Sequence, residues 1–72
     1  METIKDLIQS FVNGFGTGCS KEKMIANVYR FLENKNIGCC ILNDKYLEFD
    51  NYLIELIRKR SIGIWVVKII EK

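Results

Sequence analysis

Between Thr3 and Phe15 the apolar residues Ile4, Leu7, Ile8, Phe11 and Phe15 recur at helical spacing, and Lys5, Asp6, Gln9 and Asn13 point away from them. This spacing predicts an amphipathic helix. Thr3 is placed to cap its start, Asp6 suits the positive end of the helix, and Gly14, Gly16 and Gly18 put its end near Asn13 or Gly14. Ser20 opens a second helix, in which Met24, Ile25, Val28, Tyr29, Phe31 and Leu32 face one way and Arg30, Glu33 and Asn34 face water. The glycine-rich link between them predicts an antiparallel helical hairpin, whose joint apolar face must rest on a second layer.

The second half supplies that layer. Gly38 to Phe49 reads as a β-hairpin around a two-residue Asn43-Asp44 turn. That turn sets Leu42 opposite Lys45 and Cys40 opposite Leu47, so Leu42, Cys40, Leu47 and Phe49 are expected on the core face. Cys39, Ile41, Tyr46 and Glu48 are then expected on the other. Asp50 is read as the cap of a third helix with Tyr52, Leu53, Leu56 and Ile57 on one side. It would close with Arg58, Lys59 and Arg60, and Gly63 would help to stop it. A strand from Tyr52 to Lys59 is the competing reading, but the adjacent pairs Leu53-Ile54 and Leu56-Ile57 fit the helical period better. Ile62 to Ile70, rich in β-branched residues and holding Trp65, is a strand. The expected fold is α+β: an N-terminal helical hairpin followed by a ββαβ unit with a small three-stranded sheet, all in one domain over residues 1–72.

Size agrees with one domain. For 72 residues and 8.4 kDa, surface scaling gives a folded area of roughly 4,600 Å² and burial of about 60% of the chain's surface, enough for a single core. With 49% apolar residues and a net charge of +2, disorder is excluded. Three cysteines, two of them the neighbours Cys39 and Cys40, form no fully paired disulfide framework, so free thiols are expected. The first thirty residues show no secretion signal, and the longest apolar run, Ile62 to Val67, is too short to span a bilayer. A cytoplasmic protein with no membrane association is the expectation. The abundance of Ile, Lys and Asn is compatible with an AT-rich genome such as that of a phage or virus.

Little in the chain suggests catalysis. There is no His, and the nine acidic residues are scattered singly, so neither an acid–base pair nor an activated nucleophile is in view. No enzyme activity, catalytic residue or cofactor is expected. The stretch from Gly14 to Lys21 has the glycines of a phosphate cradle, but a helix precedes it and its spacing is not GxxxxGK[ST], so it reads as a tight link between helices. Cys19, beside a helix start, would be the most reactive thiol if exposed. Cys39 and Cys40 point to opposite sides of a strand and no His completes a set, so no metal site is expected. From Leu56 to Lys72 five basic residues face one acid, whereas Asn43 to Glu55 holds four acids and one Lys. Arg58, Lys59 and Arg60 read first as complements to the end of the third helix. Together with Lys21 and Lys23 they form the candidate set for a nucleic-acid backbone, although a sequence pI near 8.5 is below the usual range for such binders.

The last strand carries the functional expectation. A tight hairpin leaves no room between its strands, so Ile62 to Ile70 must lie at an edge, with Ile62, Ile64, Val66 and Ile70 on one face and Trp65, Val67 and Ile69 on the other. If all helices lie on one side, a second chain is needed over the rest. This reading puts Trp65, Val67 and Ile69 beside Tyr46 and Ile41 as a protein interface. The expected function is a non-enzymatic interaction or regulatory module that binds a protein and forms a homodimer through its C-terminal strand. A small nucleic-acid-binding regulator is the alternative.

Overall fold

The computed structural model describes residues 3–71, in two helices, α1 (Ile4–Val12) and α2 (Lys21–Asn34), and four strands: β1 (Cys40–Leu42), β2 (Tyr46–Phe49), β3 (Tyr52–Lys59) and β4 (Ile64–Glu71). Both helices start as their sequences predict. The Thr3 hydroxyl accepts from Asp6 N–H at 3.1 Å and the Ser20 hydroxyl from Lys23 N–H at 3.2 Å, satisfying donors that a helix start leaves open. Asn36 at φ +62° ends α2, as Asn36 and Ile37 donate back to the Glu33 and Leu32 carbonyls at 3.0 and 2.9 Å. This is a Schellman motif with Asn at the left-handed position usually held by Gly.

The predicted third helix is instead strand β3, which makes the sheet four-stranded rather than three-stranded and replaces the ββαβ unit with a β-meander. Asp50 caps no helix; at φ +54° it turns β2 directly into β3, pairing Phe49 with Tyr52. The helical reading failed because β3 is apolar on both sides: Ile54 and Leu56 point into the core, Leu53 and Ile57 away from it. Adjacent apolar pairs then imitate a helical stripe. The sheet runs in the order β1-β2-β3-β4, every pair antiparallel.

The first hairpin forms around Asn43 and Asp44, at φ +55° and +58°, with Lys45 N–H donating to the Leu42 carbonyl at 3.1 Å. Lys45 is nevertheless left in the loop, and Leu42 pairs with Tyr46. A shift of one residue exchanges the faces of a strand. Ile41 therefore shares the face of Leu47, and Leu42 and Cys40 share that of Tyr46 and Glu48, the reverse of the expectation for β1.

The core consists of Ile8 and Val12 from α1, Met24, Ile25, Val28 and Leu32 from α2, and Leu47, Ile54, Leu56, Trp65 and Val67 from the sheet. The register places all five sheet residues on one face, so both helices lie on that side and the molecule has two layers. Each buried aliphatic side chain contributes about 1.5–3 kcal/mol relative to exposure. Phe11 ties the helices together, stacked on Phe31 at 4.2 Å between ring centroids and edge-on to Phe15 at 5.0 Å. The accessible surface is 4727 Å², close to that of a single small domain of this mass. Among the described residues no helix is long and apolar enough to cross a membrane.

Candidate functional site

A sheet covered on one side only leaves the other side for solvent or a partner. On β3 and β4 that side carries Leu53, Ile57, Ile64, Val66 and Ile70, none of them packed against the core cluster. Leu53 stands opposite Ile70 and Ile57 opposite Val66. Between these two apolar rows lies a charged row, Glu55 opposite Lys68. Tyr46 and Leu42 extend the face across β2 and β1, and Ile62 in the adjoining loop is 62% exposed. Glu48 and Lys59 supply one charge of each sign at the margin. Lys21 Nζ lies 3.9 Å from Glu55 Oε2, level with Tyr46, the first residue of β2 and the last to pair with β3 on that side.

The interface residues expected from sequence are divided by this arrangement. Trp65 and Val67, expected on an open face, are each 1% exposed beneath the helices. Ile69 packs against the core and Ile41, 41% exposed, lies on the covered face's side of β1. Tyr46 alone of the five is on the open face. The physical reason is parity: Val67 is level with Leu56 and Ile69 with Ile54, so burial of β3's even positions takes the odd positions of β4 with it. Helical spacing hides Leu53 and Ile57 as residues of a strand face, and Ile64, Val66 and Ile70, which the sequence groups on one face of the last strand, form the open face rather than the covered one.

β4 is an edge strand, as the sequence predicts, yet part of its edge is occupied. The Gln9 carboxamide donates to the Trp65 carbonyl at 2.7 Å and accepts from Val67 N–H at 2.9 Å. One side chain from α1 thus makes the two bonds that a neighbouring strand would make.

The basic residues do not form one surface. Arg58 turns to the covered side, donates to the Cys19 carbonyl and lies 5.1 Å from the centroid of the Trp65 ring. Lys59 sits on the opposite face and Arg60 in the following turn, both exposed. The expected completion of a helix end has no helix to complete. Lys21 faces Glu55 and Lys23 is exposed.

The Gly14–Lys21 stretch acts as a strap held by its carbonyls, with Gly16 accepting from Trp65 Nε1 at 3.2 Å and Cys19 from Arg58. Cys19 itself is half-buried against the core. Cys40 is exposed and Cys39 half-buried; burial pushes the Cys39 thiol above its ordinary pKa, with smaller contributions from Cys40 and Glu33. Glu33 also holds the Tyr29 phenol above its usual range, through a hydrogen bond and then through its charge. Among the described residues no cavity is found, and no three His, Cys, Asp or Glu side chains are grouped to hold a metal ion. Comparison with protein-family models, with curated proteins and with solved structures returns no match.

Proposed function

We propose that this chain is a small non-enzymatic interaction module that binds protein, its own copies included, through the uncovered face of its sheet. One observation carries the reading: Leu53, Ile57, Ile64, Val66 and Ile70 stand together on the paired strands β3 and β4, partly exposed and, among the described residues, outside the core that the helices cover. Contiguous apolar surface of this kind is costly to leave in water and is characteristic of contact sites. The C-terminal strand supplies three of the five residues, which retains its expected role while exchanging the face that performs it. Free thiols fit a reducing, cytoplasmic setting.

Protein suits the face better than nucleic acid does. Its charged residues, Glu48, Glu55, Lys59 and Lys68, balance, whereas a phosphate backbone calls for a basic stripe. The test is capture of partners from the source cell by the wild type and by an Ile57→Lys/Val66→Lys variant shown to be folded by circular dichroism. Capture should be lost in the variant and insensitive to moderate salt in the wild type. Retention of the same partner by the variant, or capture of nucleic acid that disappears as salt rises, contradicts the proposal.

A further inference from the structure

We infer that the occupant of the open face is a second copy of this chain, stacked about a two-fold axis that runs parallel to the strands between β3 and β4. This rests on the reading of that face as a protein-binding surface. It commits to one partner and one geometry.

The pattern of charge on the face selects both. Two sheets packed face to face keep their strands within about 30° of each other, which leaves two ways to place a two-fold axis in the plane between them. An axis across the strands, at the level of the charged row, sets every strand over its own copy. Glu55 would then meet Glu55 and Lys68 would meet Lys68. An axis along the strands, midway between β3 and β4, sets each residue over its cross-strand partner in the other copy. The register then stacks Leu53 on Ile70 and Ile57 on Val66, and brings Glu55 onto Lys68 twice. Opposite charges alternate around a ring of four, flanked on both sides by apolar rows. A charged row in the middle of an apolar face penalises an unmatched partner, and here the chain itself is matched.

The sheet edge offers a poorer route to the same dimer. Edge pairing of β4 would require Gln9 to release the Trp65 carbonyl and the Val67 N–H. The other edge strand, β1, spans only Cys40–Leu42. Stacking on the open face leaves both edges and every core contact as they are.

The experiment is sedimentation velocity on the full chain over a concentration series, with Glu55→Lys, Lys68→Glu, the double exchange, and Lys21→Met as a control for the ion pair that Glu55 also makes. Each variant is first shown to be folded. The wild type should dimerise, and Lys21→Met should dimerise like it. Each single exchange should weaken the dimer by about tenfold or more, since it sets like charges face to face. The two single variants mixed together should form a heterodimer, and the double exchange should restore the homodimer.

A wild type that stays monomeric at the highest concentration reached overturns the inference; the capture experiment judges the face itself separately. A dimer indifferent to both single exchanges, or two single variants that fail to pair when mixed, overturns the axis and with it the inference.

Discussion

The Gln9 side-chain oxygen accepts a hydrogen bond from the Val67 N–H at 2.9 Å, across fifty-eight positions of sequence. The same carboxamide donates to the Trp65 carbonyl at 2.7 Å. A helix cannot pair with a strand through its own backbone, whose groups are committed internally. A carboxamide has one donor side and one acceptor side, as a peptide group does, so Gln9 stands in for a neighbouring strand. It fastens α1 to β4 and blunts an apolar edge that would otherwise be a template for pairing.

Gln9→Ala should therefore lower stability by about 1–3 kcal/mol, the range for part-buried groups left without partners. Gln9→Glu keeps an acceptor for Val67 but places a carboxylate against the Trp65 carbonyl, and should not recover the loss at neutral pH. Urea unfolding measures both. The Val67 amide should also exchange faster with deuterium in Gln9→Ala; unchanged exchange and a loss below about 0.5 kcal/mol would show the bridge to be incidental.

Arg58 should be the one member of the basic cluster that matters for stability. Its guanidinium holds the interhelix strap through the Cys19 carbonyl and lies over Trp65, so Arg58→Gln should cost about 1.5–3 kcal/mol. Lys59→Gln and Arg60→Gln, both at exposed positions, should stay within about 0.5 kcal/mol. Equal effects at all three positions in chemical denaturation would contradict this assignment.

The turns give a pair of opposite signs. Gly63 sits at φ +69° with open space where a Cβ would go, so Gly63→Ala should destabilise by about 1–2 kcal/mol from backbone conformation alone. Asp50 already holds φ +54° with a side chain, and Asp50→Gly should be neutral or stabilising by up to about 1 kcal/mol. Melting temperatures that move in the same direction for both would contradict the turn geometry.

Thiol chemistry follows burial. Cys40 is exposed, and Cys39 is half-buried with its pKa raised first by that burial. A raised pKa keeps Cys39 in its unreactive thiol form to higher pH, so iodoacetamide should modify Cys40 before Cys39, and the Cys39 rate should still be rising above the ordinary thiol range. Mass spectrometry of digests over a pH series reads both rates. Faster labelling of Cys39 at neutral pH would be inconsistent with the packing described.

What was legible in the chain, and what was not, has one physical origin. The two helices could be read because each is apolar on one side only and carries a capping hydroxyl, Thr3 or Ser20. Strand β3 could not, because Leu53 and Ile57 give it a second apolar side, and two apolar sides erase the alternation that identifies a strand. The same ambiguity exchanged the faces of β4: with Ile64, Val66 and Ile70 on one side and Trp65, Val67 and Ile69 on the other, nothing local says which is covered. Pairing decides it, and pairing depends on β3. One usable signal was the sequence Phe49-Asp50-Asn51-Tyr52, two aromatic residues around a two-residue turn. Had it been read as a hairpin, Ile54 and Leu56 would have followed Leu47 into the core and Val67 would have followed them. Gln9 belongs by its spacing to the polar side of α1, from which its long side chain still reaches the sheet edge.

The proposed meeting place of this protein with its partner is the open face of the sheet, built on Leu53, Ile57, Ile64, Val66 and Ile70. Methyl NMR over a concentration series addresses it directly, because the methyl groups of Leu53, Ile57, Ile64, Val66 and Ile70 report on the face while those of Ile8, Val28, Leu47 and Val67 report on the core. The first group should shift and broaden together as concentration rises while the second stays fixed. Methyl signals on the face that remain unchanged to the highest concentration reached, or changes centred on β1 or on the helices, would contradict it.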